Sequence, residues 1–202
     1  MARVKEAELH ATATIDLPAP MTMDPQHWPA APRVWLYKAG LSNDDIEGLG
    51  FYYNERLRRV VMPIYQAGKL AYWQARSLDK GVAKYINPPV DKSGIMPTYG
   101  SGPFTLLTED ILSAYKAGRV TQAISLMGTR LSHTLLVRLA QAGQPVGVML
   151  DPDKAGINAA IKVRKALINA GCDARIVHVS KDPKLLSTQE IQSCVNYSLL
   201  AP

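Results

Sequence analysis

Three carboxylates in this chain stand where apolar runs stop. Phe104-Thr-Leu-Leu-Thr108 is followed at once by Glu109, and Val146-Gly-Val-Met-Leu150 by Asp151-Pro152-Asp153. Apolar runs of this length, separated by helical patterns, read as buried parallel strands joined by crossover helices. In an open parallel sheet ligands sit beyond the carboxyl ends of the strands, so acids placed there converge and can share one or two divalent cations. The chemistry to expect is metal-assisted reaction at phosphate. Taken singly, Asp153 also fits a helix N-cap and Glu109 a solvated loop residue. It is their joint placement at two strand ends that favours a site.

The elements that must position these acids follow from periodicity. From residue 101 onward strands are expected near 104–108, 122–126, 146–150 and 174–179, with helices near 110–118, 131–142, 154–171 and 186–195. The third helix carries an apolar stripe through Ile157, Ala160, Ile161, Leu167 and Ile168 and stops at Gly171, and the fourth opens on Ser187-Thr-Gln-Glu190, a capping box. Before residue 100 the pattern differs. Val60–Tyr65 and Leu70–Arg76 are β-rich runs joined by a Gly-containing turn, which makes a hairpin, and Ala83–Asn87 ends at Pro88-Pro89. Tyr72 and Trp73 are expected on opposite faces of their strand, one in the core. A helix is expected to begin within Trp28–Lys38, and Ser42 to cap a second that Gly48 stops. Residues 1–30 hold closely spaced prolines and read as an extended arm. The organisation is therefore arm 1–30, a small basic α+β subdomain 31–100, and an α/β domain 101–202 with a mainly parallel, helix-flanked sheet.

Composition narrows the function. The 202 residues carry a net charge of +6 with 47% hydrophobic content, an ordinary globular balance with a basic surplus. Between Arg56 and Lys92 eight Lys or Arg face Asp79 and Asp91, so this segment alone matches the surplus of the whole chain and suits a polyanion. Cys172 and Cys194, in no Cys-x-x-Cys pair, exclude a zinc ribbon and a disulfide framework, and a reducing cytoplasm is expected. No apolar run approaches the roughly 20 residues of a membrane span. Without a Gly-x-x-x-x-Gly-Lys-Ser/Thr sequence there is no P-loop motor. His10, His27, His133 and His178 are scattered, away from ligand spacing.

Leu107-Thr-Glu109-Asp-Ile-Leu-Ser113, Ser125-Leu-Met-Gly-Thr129 and Leu150-Asp-Pro-Asp-Lys-Ala-Gly156 together resemble the three blocks of the Toprim domain of primases, topoisomerases and some nucleases. Arg59-Val-Val-Met-Pro-Ile64, Ala75-Arg76, Lys84-Tyr-Ile-Asn-Pro88 and Tyr99-Gly100 resemble the basic subdomain that precedes Toprim in bacterial-type primases. The resemblance implies Glu109, Asp151 and Asp153 as catalytic metal ligands for Mg²⁺ or Mn²⁺. Lys181-Asp182-Pro183 resembles the late acidic motif and adds Asp182, with Lys184 where the family often has a second acid and Ser113 where primases often have an aspartate. Arg59, Arg76, Lys84, Tyr85 and Asn87 become the expected nucleic-acid contacts. The function implied is a DNA primase core making short RNA primers from ribonucleoside triphosphates on single-stranded DNA, phage or bacterial in origin. With no zinc of its own, it is expected to rely on a replicative helicase or a separate zinc-domain protein. A Toprim nuclease, or a non-catalytic module retained for binding, are the alternatives.

Overall fold

The computed structural model describes residues 15–200, in two compact units that divide between Ile95 and Met96. Residues 1–14, the first part of the expected arm and the place of His10, lie outside the described residues.

In the first unit the chain after residue 14 runs along a sheet. Pro18 and Pro20 have no N–H, so this stretch offers carbonyls, and the sheet supplies the donors. Trp73 Nε1 donates to the Asp16 carbonyl (2.9 Å), Tyr52 Oη to that of Pro18 (2.8 Å), and Asn54 Nδ2 to those of Pro18 and Pro20 (3.0 Å each). Helix α1 (Ala30–Lys38) follows, with Pro32 in its first turn, where a missing N–H has no partner to lose. Helix α2 (Asn43–Gly48) opens on a capping box in which Ser42 and Asp45 each bond the other's backbone N–H.

Four antiparallel strands come next, in spatial order β1 (Tyr52–Asn54), β2 (Arg59–Gln66), β3 (Lys69–Arg76) and β4 (Tyr85–Ile86). The β2–β3 turn has Ala67 and Gly68 both at positive φ, the geometry that matches strand twist. Pro63 is tolerated in β2 because β1 pairs only as far as Val61, leaving that edge open at Pro63. β2 is buried at six consecutive positions, Arg59–Ile64. Tyr72 and Trp73 are both buried, which corrects the expectation that one faces solvent: the N-terminal stretch covers the second face.

The second unit begins with Met96 because that side chain packs in its core. Its five-stranded sheet has the order β5-β7-β6-β8-β9, from β5 (Thr98–Tyr99), β6 (Thr105–Thr108), β7 (Gln122–Ser125), β8 (Val146–Val148) and β9 (Ala174–Ile176). The last four are parallel; β5 is antiparallel to β7 and too short to be read from periodicity. The crossovers are α3 (Ile111–Ala117), α4 (His133–Ala142) and α5 (Lys154–Asn169), and α6 (Thr188–Val195) closes the unit on its predicted capping box. Strand residues alternate between two cores. Leu107, Ile124 and Val148 pack with Leu135 and Leu139 of α4 and Val163 and Leu167 of α5, while Leu106, Ala123 and Met149 pack with Ala114 and Ala117 of α3 and Ile191 and Val195 of α6.

Gly100, at φ +66°, lies against the loop that ends α3: a Cβ there would stand 2.0 Å from the Gly118 carbonyl oxygen. Gly143, also at φ +66°, has open space around it. Gly143→Ala should therefore lose about 1 kcal/mol through backbone strain alone. Gly100→Ala adds a backbone clash and should lose at least ~3 kcal/mol. Chemical denaturation of the two variants checks the difference.

Candidate active site

β6 and β8 are adjacent and parallel, but the helices that follow them lie on opposite faces of the sheet, α3 on one and α5 on the other. The chain thus leaves a crevice beyond these two carboxyl ends, where ligands bind in open α/β sheets. Glu109 follows β6 directly. Its carbonyl accepts from Gly128 N (2.8 Å) and from Ser125 Oγ (3.5 Å), so the Ser125–Thr129 turn after β7 fixes the backbone that carries the acid. Met127, at positive φ, and its N–H bond to Ser125 Oγ (3.1 Å) shape that turn. On the other strand, Met149 N donates to Leu107 O (2.9 Å) and carries the parallel pairing to the edge of the Asp151-Pro152-Asp153 turn.

Asp151 is the most perturbed acid of the site. Its Oδ1 is buried with no hydrogen-bond partner among the described residues. The carboxyl pKa is pushed up to about 7, first by burial, then by the charges of Asp182 and Glu109 and, weakly, Asp110, with Lys184 opposing. Asp151 lines a cavity of about 250 Å³ together with Leu150, Ile157, Ile161, Ile176 and His178. The Asp151 backbone passes close to Gly156, where a Cβ would meet the Asp151 carbonyl oxygen at 2.1 Å.

Asp153, predicted as a third ligand, is placed differently. It is the N-cap of α5, with Oδ1 accepting from Gly156 N (2.7 Å), and it is absent from the charges that raise Asp151. Asp182 does reach the cluster. It caps a 3₁₀ turn, Pro183–Leu185, and accepts from Lys184 N (3.3 Å) and Ser113 Oγ (3.5 Å). Lys184 Nζ is ion-paired with Asp182 Oδ2 and with Asp110 Oδ2 (2.9 Å), its side chain 15% exposed. Burial on its own would lower the Lys184 pKa, but the charge of Asp110 and the bonds to Asp182 and Asp110 outweigh it and the net shift is upward, so the ammonium is held charged. Asp110 went unassigned from sequence. Its pairing with a lysine 74 positions on has no local signal, although Asp110 with Ser113 is a readable N-cap (Ser113 N to Oδ1, 2.8 Å).

The donor set suits a hard divalent cation: clustered carboxylate oxygens, one of them buried without a partner, whose mutual repulsion a cation would relieve. Glu109 and Asp151 are the residues that would hold it. Among the described residues no three His, Cys, Asp or Glu side chains already stand as a ligand group, which follows from Asp153 being turned to its helix and Asp182 to Lys184.

The expected nucleic-acid contacts lie in the first unit and divide sharply. Arg59 is 5% exposed; its Nη1 donates to the carbonyls of Ala75 (3.1 Å) and Lys84 (3.4 Å), and burial lowers its pKa. It ties β3 to the loop before β4, so the side chain expected as a nucleic-acid contact is occupied within the fold. Arg76 and Tyr85 are cross-strand partners, with the guanidinium 5.2 Å from the Tyr85 ring centre and 5.6 Å from that of Trp35. Arg76 Nε and Nη1 are buried without hydrogen-bond partners among the described residues, and Arg76 lines a cavity of about 400 Å³ with Pro29, Tyr53, Arg58 and Asp79. Lys84 is exposed with Nζ 5.9 Å from the Tyr85 ring centre, and the exposed Asn87 accepts from Gln74 Nε2 (3.2 Å).

Two outcomes follow from the acid cluster. Asp151 keeps its proton in the folded chain up to about pH 7, whereas the ordinary value is 3.8. Because the folded pKa is the higher, the stability it contributes is full below about pH 4 and is lost as pH rises to about 7. Without metal, Tm should fall between about pH 4 and about pH 7, the Asp151→Asn variant should show a flatter profile, and added Mg²⁺ should raise Tm at the alkaline end. Gly156→Ala should displace the Asp151 turn, lowering stability by about 2 kcal/mol or more and flattening the same profile; thermal unfolding against pH reads both.

Residues 108–185 match the family model of Toprim-like domains. The DNA primase of Staphylococcus epidermidis is 26% identical over 159 residues, which cover 71% of this chain and 26% of that protein. This chain therefore spans about a quarter of the length of the bacterial primases it matches. Among solved structures, a DnaG primase catalytic domain bound to single-stranded DNA superposes with a TM-score of 0.67 at 18% identity, over 84% of this chain and 72% of that one. The zinc-binding and RNA polymerase domains of the Aquifex aeolicus primase superpose at 0.61 with 22% identity, over 85% and 50%. The chain carries a Toprim-like domain and has the fold of a Toprim-type bacterial primase catalytic core.

Proposed function

We propose that this chain is the catalytic core of a DNA primase, joining ribonucleoside triphosphates into short RNA primers on single-stranded DNA in the cytoplasm of a bacterial cell. The observation that carries the reading is Asp151, a carboxylate with a buried, unpartnered oxygen, crowded by Glu109 and Asp182 beyond the ends of adjacent parallel strands. When bound, Mg²⁺ or Mn²⁺ supplies the Lewis acidity and positive charge that activate the primer 3′ hydroxyl and neutralise the triphosphate. The protein's part is placement. Glu109 and Asp151 present oxygens from two strands whose backbones are locked by the Ser125–Thr129 turn and by Gly156. Asp153 would join them by giving up its N-cap bond, a change worth about 1 kcal/mol of helix stability.

In the first unit Arg76 lines a cavity and lies beside two aromatic rings, and Lys84 offers an exposed ammonium beside Tyr85. Phosphates and unpaired bases of a template strand fit this combination. Such contacts position a strand without reading it, so sequence preference would come from a separate zinc-domain protein or a replicative helicase.

The same acids would serve a nuclease, and a protein without turnover would keep the binding. Incubation with single-stranded DNA, labelled ribonucleotides and Mg²⁺ or Mn²⁺ separates the three through primers, cleavage products or bound strand alone. Primers are expected, and Asp151→Asn or Glu109→Gln should reduce them on the order of 100-fold or more with the fold intact. Full synthesis by both variants would overturn the reading. Arg76→Ala and Lys84→Ala should each weaken strand binding alike across sequences and reduce the salt slope of log K by up to about one; an unchanged slope would place the template elsewhere.

A further inference from the structure

Helix α5 packs on the sheet with one face and leaves the opposite face bare. Gly156, Ala160, Val163 and Leu167 are its buried positions, whereas Ile157, Ile161 and Ile168 remain 50%, 54% and 43% exposed. At about 3.6 residues per turn these three isoleucines fall within ~40° of one another around the axis and extend over ~17 Å. They form a line, not scattered exposure. Beside the first half of that line lies the cavity of about 250 Å³, walled by Ile157 and Ile161 on α5 and by Ile176, Val177 and Val179 at and just beyond the end of β9, the last strand of the sheet. The apolar surface is therefore concave, a row of side chains next to a hollow that admits another large one.

The charge around the line has one sign. α5 carries Lys154, Lys162, Arg164 and Lys165, all exposed, and no acidic residue. Arg164 Nε donates to the Ala174 carbonyl (3.1 Å) and ties the helix to the start of β9, and Lys154 and Lys165 come next round the axis from the isoleucines. The acids at the two ends of the helix are engaged within the chain, Asp153 by Gly156 N (2.7 Å) and Asp173 by Arg175 (3.8 Å). A nucleic-acid backbone would meet the lysines but set its phosphates against the isoleucines. A second copy docked through the same face would bring lysine against lysine in a chain of net charge +6. A bilayer is entered by protruding side chains and would leave the hollow unfilled. We propose that this face is a docking site for an acidic amphipathic helix of a partner protein. Apolar residues of that helix, three or four positions apart over about three turns, lie along the isoleucines and one enters the cavity, while Asp or Glu beside them pair with Lys154, Lys162 and Lys165. The proposal is independent of the metal centre and of the priming reading.

The test is selection of a displayed library of random peptides about 16 residues long on the immobilised full chain, followed by fluorescence anisotropy of the enriched peptides. These should carry Leu, Ile or Phe at spacings of three and four with Asp or Glu between, and should bind more weakly as salt rises. Ile161→Gln and Ile168→Gln should each raise Kd on the order of 10-fold. Lys165→Glu should also raise Kd and should reduce the salt dependence. All three positions are exposed, so the variants should unfold at the wild-type temperature. No enrichment, enriched peptides without acidic residues, or peptides that bind the three variants as they bind wild type overturn the proposal. So does a wild-type dimer in sedimentation, or adsorption to vesicles of anionic phospholipid, that Ile161→Gln and Ile168→Gln abolish, since either gives the face to another occupant.

Discussion

Parallel pairing of β6 with β8 is the constraint on which the acid cluster of the second unit depends. The strands are hydrogen-bonded neighbours, so Glu109 and Asp151 cannot separate without breaking the central pairing of the sheet. Their backbones are pinned as well, Glu109 by the turn after β7 and Asp151 by the close approach of Gly156. Burial first, and then the charges of Asp182 and Glu109, keep the Asp151 proton far above the ordinary range, and Lys184 pairs with both Asp110 and Asp182, leaving that trio one net negative charge.

The first unit solves a different problem. A small antiparallel sheet buried on both faces needs cover, and a proline-rich stretch gives it by offering carbonyls to Trp73, Tyr52 and Asn54. Its arginines then divide by depth. Arg59 is satisfied by two carbonyls and holds the sheet together, while Arg76, one strand over, stacks on Trp35 and Tyr85 and keeps donors without partners. Positive charge in the sequence is therefore a poor measure of the charge available to a ligand.

Much of the fold was legible because periodicity reports which faces are buried. The four parallel strands, their crossover helices, the β2–β3 hairpin and the caps at Ser42 and Ser187 all lie where the residue pattern puts them. Glu109 and Asp151 were legible for the same reason, since the end of an apolar run marks the end of a strand. What escaped is tertiary. β5 has two residues and takes its direction from β7 alone, and Trp73 is buried by a segment 57 positions earlier. Asp153 stays with its own helix because a local N–H is always within reach, whereas metal ligation requires distant acids to assemble. The Asp110–Lys184 pair spans 74 positions and leaves no trace in local spacing.

Asp151 is where the account can be tested most directly. Carboxyl NMR of the chain labelled at aspartate, titrated with and without Mg²⁺, follows its ionisation residue by residue. In the absence of metal Asp151 is expected to titrate near pH 7, and saturating Mg²⁺ to move it down into the ordinary carboxylate range or below. An Asp151 that titrates near the ordinary 3.8 without metal and does not respond to Mg²⁺ would contradict it.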